Sequence, residues 1–313
     1  MELELVFNEL SWEHPASSVE EARECANRLV LTMSEATRRG VKRAVRTTCD
    51  LQQLQLGPGY YWWHWREDPE VRRELQTYFR SIATKYPALL DEAEVAHAMQ
   101  GCDYFMNGQR ALGLGIACRM DSLALSMLSS NEWDTPVISL EVHELLEEKI
   151  ERRLEDVRHV ARPEHAPEAH GDWIKRRLTS LVENGSELWK RSSEFFPSLL
   201  FCTDVAEQMR ALPKPALASI LRGLFRLDDY ARGWIASGFD PDQVQCDVSP
   251  ESDSTMNLFA QERTFVSPDG RSVTFSWHAK VGGPWRVYFH PGVGPGRLLV
   301  GYVGKHLRTA KYR

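Results

Sequence analysis

Apolar residues recur at helical spacing early in the chain, at Val19, Ala22, Ala26, Leu29, Val30 and Met33. Ser17 and Glu20 form a capping box ahead of them and Gly40 stops the run, so a helix is predicted between the two. Glu4–Leu10 and Val41–Thr48 flank it as strand candidates. Pro69 opens a second amphipathic helix with Val71, Leu75, Phe79 and Ile82 on one face. Leu123–Leu128 and Pro136–Leu140 are short and strand-like, and the pattern to about residue 145 is that of a small α/β domain. Glu141–His159 reads as a long, charged helix. Arg162–Gly171, with two prolines and a terminal Gly, reads as a linker, and Trp173–Trp189 as helix again.

Past Phe196-Pro197 the pattern changes. A short strand, Ser198–Cys202, precedes helices at Asp204–Leu212 and Pro215–Ser237. A polar, acidic loop follows at Asp240–Ser254, then a strand at Arg263–Ser267. Ser272–Lys280, Trp285–His290 and Leu298–Val303 combine aromatic and β-branched residues between Gly/Pro turns, which predicts an antiparallel meander. The expected class is α+β: a mixed α/β and helical N-terminal region, then a strand-helix-helix-antiparallel-sheet domain. The expected divisions are an acidic domain over 1–160, a linker and helical connector over 161–196, and a basic domain over 197–313.

Charge sharpens this division. Arg271 to Arg313 holds eight Lys or Arg and no Asp or Glu, whereas the chain sums to −6, so residues 1–270 carry −14. A folded +8 segment on an acidic body points to a polyanionic partner, RNA or another nucleic acid. The apolar and charged fractions, 42% and 26%, are those of a globular protein. No apolar run is long enough for a membrane span, and Met1-Glu2-Leu3-Glu4 does not start a signal peptide. The six cysteines form no CxxC pair, so a cytoplasmic protein with reduced thiols is expected, without membrane contact.

The order of elements in 197–313, with a basic last sheet, resembles the RelE/ParE-like bacterial toxin fold. The residues that carry the resemblance are Trp285-Arg286-Val287-Tyr288-Phe289, Leu298-Leu299-Val300-Gly301-Tyr302, and the closing stretch from Lys305 through Arg308 to Tyr312-Arg313. The resemblance implies an endoribonuclease that needs no metal, set in bacterial stress response or antiviral defence. Cleavage by 2′-hydroxyl attack needs a base, a cation for the developing charge and an acid for the leaving oxygen. Candidates for these roles are Arg286, His290, Lys305, His306, Arg308 and Tyr312. His278, Lys280, Tyr288, Arg297 and Lys311 are candidate nucleic-acid contacts. The competing class is a non-catalytic subunit, encoded in an operon with its partners, whose basic sheet docks nucleic acid or an acidic protein.

Other motifs carry less. Tyr60 to Trp65 packs five aromatics into six positions, a core plug or a stacking platform. Arg153 and His159 fit the loose R-x4-6-H pattern of HEPN ribonucleases. His159, His165 and His170 lie near Asp156, Glu164 and Glu168 but lack the spacing of a metal helix. Glu9, Asp50, Asp121, Asp134 and Glu141 stand near predicted strand ends, where carboxylates can gather Mg²⁺. No phosphate loop or dinucleotide fingerprint is present, so no cofactor and no metal are expected.

Overall fold

A computed structural model describes residues 2–13, 15–85, 93–146, 149–236 and 238–311. The chain is α+β, and it divides into two compact units, Met1–Arg177 and Leu178–Arg313.

The first unit is built on an eight-stranded mixed sheet. Its spatial order is Ala83–Lys85, Ala44–Arg46, Leu5–Phe7, Leu123–Leu125, Lys149–Val160, Val137–Leu146, Cys102–Met106 and Gln109–Arg110. Leu5 pairs in parallel with both Val45 and Leu123, and Ala124 pairs in parallel with His159. Leu5–Phe7 and Leu123–Leu125 are buried along their whole length, as strands covered on both faces must be. The first strand is central. The chain builds outward from it on one side to residue 85 and on the other from residue 123, which makes Leu5–Phe7 beside Leu123–Leu125 the topological switch point.

The first helix is Val19–Arg38. Ser18 caps it by accepting from the Glu21 amide, one residue later than the sequence pattern predicts, while Ser17 binds the Glu21 carboxylate. Trp62 and Trp65 are core residues, with Trp62 stacked on Phe79 at 4.6 Å, and Trp63 is exposed.

The predicted helix over Glu141–His159 is instead an antiparallel hairpin, Val137–Leu146 with Lys149–Val160. Ile150, Leu154 and Val157 have helical spacing, but Ile150 and Leu154 are 64% and 75% exposed, so that stripe buries almost nothing. Period two governs: Leu140 and Val142 point into the core, and Arg153 pairs across the strands with Glu144. The predicted linker over Arg162–Gly171 is likewise corrected. A helix spans His165–Ser180, with Pro163 before it and Pro167 in its first turn, where a missing N–H costs no hydrogen bond.

The second unit holds a five-stranded sheet in the order Leu199–Phe201, Leu298–Lys305, Trp285–His290, Trp277–Gly282, Asp247–Pro250. The first pair is parallel and the rest antiparallel. Helix Lys214–Gly233 packs against the sheet closely enough that a Cβ on Gly223 would stand 2.1 Å from Val281 Cγ1. Trp285–His290 is the strand expected. Ser272–Lys280 is not one strand. It breaks at Phe275, which is fully buried against Phe265 and His290, so Ser272–Thr274 pairs with Thr264–Val266 in a separate ribbon. The predicted loop over Asp240–Ser254 contributes the edge strand Asp247–Pro250.

Candidate nucleic-acid interface

Register decides which polar groups meet. His278 lies opposite Tyr288, and Tyr288 opposite Tyr302, so the three form a row across three strands. The neighbouring row is Lys280, Arg286 and Gly304. Gly304 makes room for the Tyr302 ring: a Cβ there would lie 2.4 Å from the Tyr302 hydroxyl. Ala279, Val281, Val287 and Phe289 alternate to the other face, where Val281 meets helix Lys214–Gly233.

Glu251, just beyond the edge strand, folds onto this row. Its Oε1 accepts from Tyr288 Oη at 2.8 Å and from Arg263 Nε and Nη2 at 3.0 and 2.8 Å. Arg263 is fully buried, lies 5.5 Å from the Tyr288 ring centre, and also donates to the carbonyl of Arg308. The Arg263–Glu251 pair is a buried ion pair with its remaining donors used, the arrangement such pairs require. Burial and the Glu251 hydrogen bond push the Tyr288 phenol up.

His278 is the unusual member. Its Nδ1 stands 3.7 Å from Glu251 Oε1, beyond hydrogen-bond reach, and has no hydrogen-bond partner among the described residues. Its pKa falls to about 4, chiefly because burial disfavours the cation, with His306, Arg286 and Lys280 adding repulsion and Glu251 opposing. The imidazole is therefore neutral at pH 7. The exposed ring of His306 packs edge-on against it, 5.5 Å between centres. His306 Nδ1 is 2.6 Å from the Leu307 carbonyl, which can only accept, so Nδ1 carries the proton and Nε2 is left to exchange one with a ligand.

The sheet thus brings together His278, Lys280, Arg286, Tyr288 and His306. Lys280 is paired with Asp247 at 3.0 Å, and Arg286 Nη1 donates to the carbonyls of Gly283 and Trp285. Lys305 is exposed at the strand end, opposite Trp285 and on the other face from Gly304. The Arg308 guanidinium is held by Glu262 over the Phe259 ring. His290 is about 13 Å along its strand from Arg286, with its pKa lowered by burial, and exposed Arg297 lies toward that same end. Lys311 is exposed, and Tyr312 lies outside the described residues.

Three residues of this site are not among the candidates that the sequence offers: Glu251, Arg263 and Tyr302. Only Tyr302 had a signal, its place in the strand facing Tyr288. The internal charge balance is equally hidden. Asp240–Asp269 holds seven acids and one Arg, and it supplies Asp247, Glu251 and Glu262 to the basic sheet's neighbourhood.

In the first unit, Asn8 Nδ2 donates to Ser126 Oγ at 2.9 Å, and Ser126 Oγ reaches His159 Nε2 at 2.6 Å. All three are fully buried, and burial lowers the His159 pKa to about 4. The serine–histidine contact is a closed structural tie with no exposure to a substrate. Arg153 and His159 stand on a strand, not a helix. Glu9 caps a helix, Asp121 pairs with Arg158, Asp134 with Arg162, and Glu141 with Arg152. Among the described residues no group of three His, Cys, Asp or Glu is placed to hold a metal. Also among them, no helix is long and apolar enough to cross a membrane.

No family model, no curated protein and no solved structure matches the chain.

Proposed function

We propose that the second unit acts on RNA as a RelE-like endoribonuclease whose proton transfers run through imidazole. The observation that carries this reading is the pairing of exposed His306 with neutral, desolvated His278 in the field of Arg286 and Lys280. In it, His306 Nε2 takes the proton from the 2′-hydroxyl and returns it to the leaving 5′-oxygen. Arg286 meets the charge that develops on phosphorus. His278 does not touch the substrate: it backs the His306 ring. A second reading, an RNA- or protein-docking subunit without catalysis, draws support from Tyr288 and Arg308. Arg308 was a candidate for chemistry and Tyr288 for nucleic-acid contact, and both are tied to glutamates.

The test uses the full chain and end-labelled single-stranded RNA. Arg286→Ala weakens binding and cleavage together. His306→Gln leaves binding within about twofold and slows cleavage by roughly a hundredfold, the size of one acid–base contribution. Intact RNA in the presence of a wild-type chain that binds it replaces the nuclease reading with the docking one. Affinity that does not change between 50 and 200 mM salt removes RNA altogether, because phosphate contacts release counterions.

A further inference from the structure

A cavity of about 160 Å³ lies in the first unit at the topological switch point, and nothing in the RNA reading uses it. It sits outside the carboxyl ends of Leu5–Phe7 and Leu123–Leu125, between the turn at Glu9–Trp12, the start of helix Val19–Arg38 and the segment Met127–Ser129. Open α/β sheets bind ligands at this place because the loops on either side diverge there. Pockets for drug-sized ligands start at about 300 Å³. This one therefore suits a single ring system.

Its walls specify the ligand's chemistry. Trp12, Leu56 and Met127 supply flat or soft apolar surface. The hydroxyl and thiol groups of the described lining are acceptors, because their hydrogens are already committed. Ser11 Oγ donates to the Asn8 carbonyl at 2.7 Å, and Ser129 Oγ to the Ser11 carbonyl at 2.7 Å. Ser17 Oγ donates to Glu21 at 2.6 Å, and Cys25 Sγ to the Leu128 carbonyl at 3.5 Å. Among the described residues, the only charged side chain in the lining is the Glu21 carboxylate, whose hydrogen bonds from Ser17 lower its pKa. Among the described residues no lysine or arginine lines the cavity. The two helix starts beside the crevice are also closed to a phosphate. Glu21 takes the Ser17 amide at 2.8 Å, and Glu9 takes the amides of Leu112 and Gly113 at 2.6 and 2.8 Å.

From this acceptor-lined wall we infer that the first unit binds a ring-sized, amino-bearing heterocycle, a nucleobase or nucleoside without phosphate. The base stacks on Trp12, and its amino group donates to Glu21 and the serine oxygens. A nucleotide is rejected because its phosphate meets Glu21 and two amide clusters that carboxylates already hold.

The experiment is titration calorimetry of the full chain with adenine, cytosine, adenosine and adenosine 5′-monophosphate. Adenine or cytosine binds, and the monophosphate binds at least about tenfold more weakly than adenosine, the cost of one like-charge contact near a surface. Trp12→Ala weakens the base by about tenfold through lost stacking. Ala16→Phe fills the cavity and abolishes binding, with the thermal transition recorded to confirm folding. Glu21→Gln, at an exposed position, brings the monophosphate and adenosine affinities closer together and remains informative if the other variants do not fold. The inference is overturned if neither base binds at millimolar concentration, if the monophosphate binds as tightly as adenosine, or if binding survives Trp12→Ala and Ala16→Phe.

Discussion

The Glu251–Arg263 pair offers the sharpest quantitative test of how the second unit is held together. The perturbation is a double-mutant cycle: Glu251→Met, Arg263→Met and both. The two side chains are 5% and 0% exposed. Glu251→Met leaves a buried guanidinium with only carbonyl partners, at Phe259 and Arg308. Arg263→Met leaves a buried carboxylate with Tyr288 Oη as its remaining close donor. Removing one partner of a buried pair costs about 3–5 kcal/mol, against the 5–15 kcal/mol that a whole domain commands. Additivity would put the double variant at about 6–10 kcal/mol, enough to unfold the unit. The structure predicts otherwise. With both charges gone, what remains is a phenol and two carbonyls that have lost partners, the Phe259 contact being long, at about 1–3 kcal/mol or less apiece, partly offset by apolar packing. The double variant should be more stable than either single one, with a coupling energy of at least about 3 kcal/mol. A chain of two compact units is not a two-state system, so a global melt is the wrong assay. Hydrogen exchange of the Trp285–His290 amides reads this unit alone. Single variants that cost under about 1 kcal/mol, or a strictly additive double, would refute the reasoning.

Acid should destabilise both units. His159 and His278 have folded pKa values of about 4 against an ordinary 6.5, so each unfolded imidazole binds a proton that the folded one refuses. The stabilisation is whole above pH 6.5 and drains as pH falls toward 4, at up to about 1.4 kcal/mol per pH unit for each unit. Hydrogen exchange at pH 7, 6 and 5 checks it, and the dependence of the second unit should shrink in His278→Gln, leaving the part due to half-buried His290. Gly185→Ala should destabilise the second unit by about 1–3 kcal/mol through overpacking. The added Cβ would fall 1.8 Å from the Met209 carbonyl oxygen, and backbone on both sides has to move. Exchange protection at Val205–Arg210 that is unchanged in this variant would contradict the contact.

What the sequence could reveal depended on whether a pattern reported burial. Trp285–His290 alternates between a covered face and a half-open one, and its bounds were legible to the residue. Helix Val19–Arg38 was legible because its apolar stripe is the one it buries. The hairpin at 137–160 was misread because its surface residues satisfy a helical template while its stability comes from pairing between strands. The strands Leu5–Phe7, Ala44–Arg46 and Leu123–Leu125 are three residues each, too short for a period to fix their bounds, so the candidates Glu4–Leu10, Val41–Thr48 and Leu123–Leu128 overran them. Glu251 and Arg263 escaped notice for a different reason. Charged residues in a polar stretch read as solvated, and only the fold shows that Phe275 breaks the strand and draws them inside.

The charge asymmetry of the sequence has to be restated in the same terms. Eight cations without an acid over Arg271–Arg313 suggest a bare basic sheet, yet Asp240–Asp269 brings seven acids with one arginine. Lys280, Arg308 and Arg271 are met by Asp247, Glu262 and Asp269. These pairs differ in kind from Glu251–Arg263. They have exposed members, and exposed ion pairs contribute little and weaken with salt. A polyanion can exchange such carboxylates for phosphates without unfolding anything, whereas Arg263 stays committed to the core. On the RNA reading proposed above, the cations on the His306 side of the sheet are thus Lys280, Arg286 and Arg308, and the acidic stretch sets how strongly a polyanion must compete for them.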